Sequence, residues 1–302
     1  MMIGNSGKVL ALFFSLLAGT NTVLADDVFE FESYKDLLPL FERLDYTEKA
    51  WDSGLREVSR VYLSNMPSRW RGKHSKEIQV GLKKELFFRV LAPLILRSNE
   101  LIMQDRERLI AFSAGTDTDA GWLAELAVRY RVIDSTDSGI GPAQLSELLN
   151  RVDLMPPSLA MAQTAEESGW GTSRFADQGN AMFGQWAWGD KAIKPEQQRA
   201  GKGNYGIAAF DSPQESVIGY MMNINTHRAY APLRDKRAQM RSKGQKPSGM
   251  ALSPSLLNYS ERGQHYVDTL NSIMSYNKLA AIDEAYLVGP VIILTPVGAG
   301  SD

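Results

Sequence analysis

The sequence predicts a mainly α-helical protein with a small lobe of loops and short strands. Apolar residues recur at helical spacing through most of the chain, and prolines, serines and glycines stand where helices would begin and end. By contrast, residues 184–210, "GQWAWGDKAIKPEQQRAGKGNYGIAAF", are rich in glycine and aromatic residues and show no helical period. Such a segment is typical of loops with a short hairpin.

The composition indicates a globular protein without disulfides. The chain has 302 residues, 44% of them hydrophobic, which suffices for one large or two modest domains. Its net charge of −2 gives no overall attraction for nucleic acid, so we expect no nucleic-acid partner. The absence of cysteine excludes a cysteine nucleophile and every thiolate metal site.

The first 25 residues have the pattern of a secretory signal peptide. Lys8 supplies a positive charge, residues 9–19 form the apolar run "VLALFFSLLAG", and Ala25 ends a small-residue cleavage site. The run is short for a membrane-spanning helix, although an uncleaved anchor is the alternative. We expect a mature chain that starts near Asp26, has no stable membrane span, and resides in the periplasm or cell envelope of a bacterium.

Residues 26–137 are predicted to form a helical N-terminal region. Residues 83–112, "KKELFFRVLAPLILRSNELIMQDRERLIAF", show helical spacing, and Pro93 is expected to kink or divide this helix. Residues 120–132, "AGWLAELAVRYRV", indicate a shorter amphipathic helix. Neither segment carries a group of residues typical of catalysis, so we expect these helices to serve packing.

Residues 138–280 are predicted to form a second domain. The segment "SGIGP" at its start combines two glycines and a proline, which marks a break between helices. Pro157 is well placed as the first residue of a helix that Gly169 ends. Farther on, Ser212 is expected to cap a helix whose Glu215 reaches back toward the helix start.

Residues 281–302 are predicted to be a C-terminal tail. The stretch "YLVGPVIILTPVGAGSD" contains a short β-branched run interrupted by glycine and proline. It is too short to cross a membrane, and we expect either an edge strand or a partly ordered tail.

Two adjacent carboxylates, Glu166 and Glu167, stand at the end of a small-residue helix and are followed by Gly-Trp-Gly. A carboxylate near a helix C-terminus costs about 0.3–1 kcal/mol, so its presence there is a weak indication of function. A carboxyl group held against aromatic rings is poorly solvated, which raises its pKa and suits it to act as a general acid on a glycosidic oxygen. Rings that could pack against a sugar are those of Trp170, Phe183, Trp186 and Trp188.

Four segments, taken in order, resemble one known family. These are "AQTAEESGWGTSRFA", "GNAMFGQW", "AAFDSPQESVIGYM" and "YSERGQHYVDTL", and they resemble the bacterial β-N-acetylglucosaminidase domain of glycoside hydrolase family 73 over roughly residues 150–278. Flagellar muramidases and several autolysins share this domain. The segments "NINTHRAYAPLRDKR" and "KKELFFRVLAPLILRSNELI" narrow the resemblance to the Bax-like branch and extend it to about residue 80.

The resemblance implies a lysozyme-like fold and hydrolysis of the β-1,4 bond after N-acetylglucosamine in the glycan strands of peptidoglycan. The glutamate of the family's E-S-G-W-G motif falls on Glu167, whereas Glu166 fills a usually apolar position. The family's cleft tyrosine falls on Tyr259, although the spacer there differs from the usual one. Residues matching the family's N-x-F-G loop are Asn180, Phe183 and Gly184, and Gln185-Trp186 departs from the pattern after them.

The second carboxylate is less clearly marked. An inverting enzyme needs its two carboxyl groups about 6.5–9.5 Å apart and a retaining one about 5–5.5 Å, while a substrate acetamido group can replace the second carboxyl. Family members place their candidate in the variable lobe before "AAF". Glu196 in "KPEQQ" is our candidate, and Asp190 is the runner-up.

No cofactor or metal is expected. The histidines at positions 74, 227 and 265 are widely separated and form no H-x-x-x-H pair. An N-acetylmuramoyl amidase is one alternative, but most such enzymes use zinc. A catalytically inactive glycan-binding or scaffold protein is the other, and protein partners stay unidentified. Arg228, Arg234, Arg237 and Arg241 indicate a basic face, either solvated or directed at anionic wall polymers.

Overall fold

The computed structural model describes residues 27–188, 192–197 and 205–297. The predicted signal peptide and Asp190 lie outside these ranges. The N-terminal region contains strands β1 (Asp27–Phe31) and β2 (Glu57–Leu63). Its helices are α1 (Tyr34–Arg43), α2 (Glu48–Asp52), α3 (Ser75–Glu77), α4 (Val80–Ser113) and α5 (Ala120–Arg129), with a π-helix over Trp70–His74 before α3.

The second half of the described chain is mainly helical. Its helices are α6 (Pro142–Arg151), α7 (Pro157–Ser168), α8 (Arg174–Gly179), α9 (Pro213–Thr226), α10 (Ala231–Ser242), α11 (Gly249–Leu252) and α12 (Gln264–Tyr276). Strands β3 (Trp186–Trp188) and β4 (Tyr205–Ile207) lie between α8 and α9, and β5 (Tyr286–Pro296) follows α12. Three short 3-10 helices cover Arg228–Tyr230, Ser253–Leu256 and Leu279–Glu284.

The C-terminal strand β5 is the centre of a three-stranded parallel sheet with the order β1-β5-β2. Asp27 pairs with Ile292 on one side, and Val61 pairs with Ile292 on the other. The expectation of an edge strand or a partly ordered tail is therefore wrong for these residues. The N-terminal region is mainly helical as predicted and also contributes β1 and β2 to this sheet. These partners are more than 200 residues apart in sequence, so no local pattern could reveal the pairing.

Helix α4 continues without a break through Pro93. Of the two predicted effects of this proline, a kink or a division of the helix, the division is therefore wrong. Proline at this position has no N–H to donate to the carbonyl of Arg89 one turn earlier. The hydroxyl of Tyr46 donates to that carbonyl instead, at 3.2 Å in the buried core. A side chain from outside the helix thus replaces the missing backbone bond.

Several predicted helix ends are confirmed. Pro157 is the first residue of α7, and Gly169 ends it in the left-handed conformation with φ of 56°. The Ser212 hydroxyl accepts a hydrogen bond from the backbone N–H of Glu215 at the start of α9. The Glu215 carboxylate accepts one from the N–H of Asp211, so it reaches back to the helix start as expected.

One hydrophobic cluster joins both halves of the chain. It extends from Phe31 to Leu294 and includes side chains of α4, α7, α9 and α12. A smaller cluster around Leu126 and Leu148 joins α5 to α6 across the predicted domain boundary at residues 137 and 138. The division into domains stays a prediction, and the N-terminal region packs directly onto the helices that carry the candidate site.

The predicted basic face of α10 is wrong for two of its arginines. Arg237 is 0% exposed and Arg234 is 3% exposed. Their guanidinium groups donate to backbone carbonyls, among them those of Asp153 and Ile224. These guanidinium groups therefore donate hydrogen bonds to backbone carbonyls inside the protein and are not exposed to solvent.

Candidate active site

Glu167 lies in the last turn of α7, and the chain reverses immediately after it. Three consecutive residues, Gly169, Trp170 and Gly171, adopt the left-handed conformation with φ of 56°, 60° and 74°. This backbone is accessible to glycine at little cost and is uncommon for tryptophan. The Trp170 N–H donates to the carbonyl of Ala165 at 3.0 Å, which closes the turn over the helix end. The turn leaves Glu167 at the end of an otherwise buried helix.

The Glu167 carboxyl group is partly buried and has one close polar partner. The hydroxyl of Tyr266 donates to its Oε1 at 2.8 Å. Burial raises the pKa of Glu167, the hydrogen bond from Tyr266 lowers it, and the nearby charges of Glu166 and Arg262 act in opposite directions. Because burial dominates, the proton is retained to higher pH than on an ordinary glutamate.

A buried chain of hydrogen bonds fixes the direction in which Tyr266 donates. The Tyr220 hydroxyl donates to Gln163 Oε1 at 2.5 Å, and Gln163 Nε2 donates to the Tyr266 hydroxyl at 3.1 Å. Gln163 is 0% exposed, so no water competes for its amide. Since the Tyr266 oxygen accepts from Gln163, its own hydrogen points to Glu167 Oε1. The proton of the neutral acid is thereby assigned to Oε2.

The neighbouring Glu166 has a different environment. Its Oε1 lies 2.6 Å from Nη2 of Arg262, whose side chain is 42% exposed. The Arg262 guanidinium also lies over the ring of Tyr266, 5.2 Å from the centroid. Glu166 thus forms an ion pair at the surface, while the partly buried Glu167 accepts a hydrogen bond from the hydroxyl of Tyr266.

The "GNAMFGQW" loop lies against Glu167. A Cβ atom built on Gly184, which has φ of 59°, would stand 3.9 Å from Glu167 Oε2. Asn180 has φ of 52° and uses its side chain inside the protein: Oδ1 accepts from the N–H of Met66, and Nδ2 donates to the carbonyl of Phe210. Asn180 therefore holds the loop in place, and its predicted substrate contact stays a prediction.

The four predicted sugar platforms lie in two kinds of surroundings. Phe183 is 2% exposed and stacks on Tyr220 with a centroid distance of 3.8 Å, which favours a packing role. Trp170 packs edge-on against Phe87 and Phe88. By contrast, Trp186 and Trp188 on β3 are 43% and 68% exposed. Strands β3 and β4 pair in antiparallel orientation, in the segment where the sequence predicted a short hairpin. The lobe that they form therefore carries two solvent-exposed tryptophan rings.

Tyr259 and Tyr266 form a stacked pair next to Glu167. Their ring centroids are 5.3 Å apart with an interplanar angle of 7°, and Tyr230 lies 5.8 Å from Tyr259. The role predicted for Tyr259 stays a prediction. The family resemblance pointed to Tyr259 and not to Tyr266. In the sequence, Tyr266 shares a helix face with Leu270, a spacing that is typical of a core residue.

Glu196 lies in the small lobe and is 84% exposed at its side chain. Its Oε1 stands 3.8 Å from Nε of Arg174 on α8. No hydrogen bond or ion pair among the described residues links Glu196 to Glu167. Part of the same lobe, including Asp190, lies outside the described ranges, so the second carboxylate stays a prediction.

No group of three or more histidine, aspartate or glutamate side chains capable of holding a metal occurs within residues 27–188, 192–197 and 205–297. Across the same residues, no helix combines the length and apolar character needed to cross a membrane. Even α4, with 34 residues, carries charged side chains along its length.

Comparison with known proteins identifies the family. Residues 143–279 match the glucosaminidase family, described as mannosyl-glycoprotein endo-β-N-acetylglucosaminidase. The chain is 33% identical to protein Bax of Escherichia coli K12 over 199 residues, which are 65% of this chain and 70% of that protein. Among solved structures, the catalytic domain of the autolysin Auto from Listeria monocytogenes shares 17% identity with a TM-score of 0.33, covering 60% of this chain and 96% of that domain. The family match and the Bax relative show that the chain belongs to the Bax-like branch of the glucosaminidases and is a glycoside hydrolase of mainly α-helical fold.

Proposed function

We propose that the protein is an exported peptidoglycan hydrolase that cleaves the β-1,4 bond after N-acetylglucosamine, with Glu167 as its general acid. The single observation that supports this role is the partly buried Glu167 carboxyl, whose pKa is raised and whose Oε1 accepts from Tyr266. A general acid must hold a proton near neutral pH and release it to the leaving oxygen in the transition state. The predicted signal peptide supports action outside the cytoplasm.

The hydrogen-bond chain gives this acid a defined geometry. Tyr266 occupies Oε1, so the transferable proton sits on Oε2, which faces Gly184. A glycine at that position leaves the approach to Oε2 open, since a side chain there would come within 3.9 Å of it. As the proton leaves, the Tyr266 hydroxyl stabilises the new carboxylate at Oε1.

The second half of the reaction is assigned to the small lobe. Glu196 is the proposed base, and its side chain is 84% exposed in the lobe. Arg174 Nε lies 3.8 Å from it and forms a loose ion pair at the surface. If Glu196 is not the base, the acetamido group of the substrate is the remaining nucleophile, and Glu196 is then dispensable.

The exposed rings of Trp186 and Trp188 are the proposed sugar platforms. Trp186 is itself stacked on Tyr205, with centroids 4.5 Å apart, so its orientation is fixed by the lobe. A fixed aromatic face packs against the C–H face of a sugar with little loss of side-chain entropy. The lobe therefore supplies binding while α7 supplies the proton.

Product analysis tests the proposed reaction directly. Purified peptidoglycan is treated with the mature protein, with Glu167→Gln and with Glu166→Gln as a matched control, and the products are reduced with borohydride and sequenced by mass spectrometry. We expect fragments that end in reduced N-acetylglucosamine from the wild type and from Glu166→Gln, and none from Glu167→Gln. Free stem peptides would instead identify an amidase. Wall binding without any product would identify a glycan-binding protein.

A further inference from the structure

A pocket lined by cationic and hydroxyl side chains lies beside the turn that follows Glu167. Its lining includes Arg71, Ser75, Lys76, Lys83 and Thr172, and it encloses about 500 Å³. We call it the basic pocket. Four of these five residues come from the N-terminal region, and only Thr172 belongs to the part of the chain that matches the family.

The charge of this pocket is a local property of the sequence. Residues 69–84, "RWRGKHSKEIQVGLKK", carry six lysine or arginine side chains and one carboxylate, within a chain whose net charge is −2. Burial lowers the pKa of His74, and the charges of Lys73 and Arg69 lower it further against the opposing effect of Glu77. The surface is therefore strongly positive in a protein that is slightly negative as a whole.

The cations of the pocket are only partly neutralised. Arg71 Nη1 lies 3.8 Å from Asp177 Oδ2, a loose pair at the limit of ion-pair distance. Lys76 and Lys83 form no ion pair with any carboxylate in the described part of the chain. Two lysine charges thus face the same space as the hydroxyl of Thr172 without a matching anion there.

The pocket is held at a fixed place relative to Glu167. Trp70 Nε1 donates to the carbonyl of Trp170 at 3.2 Å. A Cβ atom on Gly171 would stand only 3.1 Å from Met66 Cε, so the two segments are in direct contact. Thr172 is five residues from Glu167 in sequence, which limits their Cα separation to about 18 Å. A short extended peptide spans this distance.

The positive surface continues past Trp170 on helix α4. Lys84 Nζ lies 4.8 Å from the ring centroid of Trp170 and 4.7 Å from that of Tyr276, which is 80% exposed. Cation–π contacts of this kind hold the ammonium group between two rings. The first turns of α4 therefore place Lys83 toward the basic pocket and Lys84 toward the aromatic surface beside the site.

We propose that the basic pocket binds a carboxylate of the peptide that branches from the glycan strand, so that the N-terminal region makes the enzyme prefer peptide-bearing glycan. The proposal rests on the proposed function. The backbone sugars of the strand are neutral at their ring faces, and its peptide branches carry the free carboxylates that lysine ammonium groups recognise. The hydroxyl of Thr172 donates its hydrogen to the carbonyl of Gly169, so recognition depends on the lysines. A branch on the bound strand reaches the pocket at high effective concentration, which a separate anionic polymer does not.

The test compares two substrates and two lysine pairs. Glycan strands that carry peptides are compared with the same strands after an amidase has removed the peptides. Hydrolysis of that amide leaves one carboxylate on the lactyl group beside each muramyl ring, so the comparison tests the carboxylates that the peptide carries away from the strand. The variant K76Q/K83Q removes two charges from the pocket. As the matched control, K236Q/K243Q removes two exposed charges, one on α10 and one at the residue that follows it. Initial rates are measured from new reducing ends, and binding of both strands is measured with each pair in the Glu167→Gln background.

We expect the wild type to favour peptide-bearing strands, and K76Q/K83Q to lose about tenfold on them and less than twofold on stripped strands. The control variant keeps the wild-type preference, and added salt weakens that preference because the interaction is ionic. Equal rates of the wild type on both strands, or an equal loss by K76Q/K83Q on both, overturns the proposal. The proposal is also overturned if the pocket binds a phosphate polymer and does not bind the peptide.

The same measurements separate this proposal from the proposed function. If no strand is cleaved but the Glu167→Gln protein still binds peptide-bearing strands more tightly, and K76Q/K83Q abolishes the difference, the pocket is supported and the reaction is wrong. If strands are cleaved and binding ignores the peptides, the reaction stands and the pocket is wrong.

Discussion

Two parts of the site differ in how their functional groups are held. The floor consists of α7 and α12, which carry Glu167 and Tyr266, and the lobe consists of β3, β4 and the segment between them. On the floor, Glu167 is partly buried and receives a hydrogen bond whose direction is fixed by Gln163, which is fully buried. In the lobe, Glu196 and Trp188 are exposed by 84% and 68%. Preorganised groups stabilise charge in a transition state, whereas exposed groups bind and adapt to a polymer. The comparison indicates that proton transfer depends on the floor and substrate capture on the lobe.

Removing the acid gives the largest expected effect. Glu167→Gln keeps the hydrogen bond with Tyr266 but has no proton to donate, so kcat falls by about 10³. Binding to the wall is retained, because the lobe is untouched. Glu166→Gln loses the surface pair with Arg262 and a neighbouring charge that raises the pKa of Glu167, and it stays within about threefold of wild type. Turnover by Glu167→Gln at a wild-type rate would show that the floor is not catalytic.

Glu196→Gln tests whether the lobe also takes part in chemistry. If Glu196 is the base, Glu196→Gln lowers kcat by about 10² throughout the pH–rate profile. Glu125→Gln, an exposed carboxylate on α5, is the control for the same change in charge. An unchanged profile for Glu196→Gln would restrict the lobe to binding and favour assistance by the substrate acetamido group.

Tyr266→Phe sharpens the role of the floor. The Tyr266 hydrogen bond lowers the pKa of Glu167 against the effect of burial, so its loss raises that pKa further. Activity requires protonated Glu167, and the high-pH limb therefore moves to higher pH, while kcat falls by about tenfold. Tyr259→Phe is measured beside it. A shift of the limb with Tyr259→Phe and none with Tyr266→Phe would reverse the roles of the two stacked tyrosines.

Trp186→Ala is expected to act on substrate capture alone. Loss of an aromatic face costs about 0.5–1.5 kcal/mol, so KM rises about fivefold and kcat changes little. Trp186→Tyr retains a flat ring and restores most of the affinity. A fall in kcat with unchanged KM would contradict the division between lobe and floor.

The smallest expected effect concerns stability. The pKa of Glu167 is raised in the folded protein above its usual value of 4.5. The unfolded chain therefore ionises first, and the folded state loses relative stability as pH rises through the folded pKa. Glu167→Gln removes this penalty and raises the free energy of unfolding at neutral pH, with no gain well below pH 4.5. If urea unfolding gives Glu167→Gln and the wild type equal unfolding free energies both at neutral pH and well below pH 4.5, burial exerts no such penalty.

The sequence by itself determined the local features of this protein. The start of α7 at Pro157, its end at Gly169 and the capped start of α9 follow from residues within one turn of each other. The four motifs that indicated the glucosaminidase family are likewise short contiguous segments. The helix ends depend on backbone conformations and hydrogen bonds that involve only neighbouring residues.

Only the tertiary structure decided the rest. It placed Tyr266 on Glu167, 99 residues away, and made β5 the centre of a sheet with strands from the other end of the chain. It buried Arg237 against backbone carbonyls and brought Lys83 beside Thr172. Helical spacing in the sequence assigns a residue to one face of a helix, but it does not identify the segment that packs against that face. The partner depends on how distant segments pack, and that packing sets the pKa of Glu167 through burial.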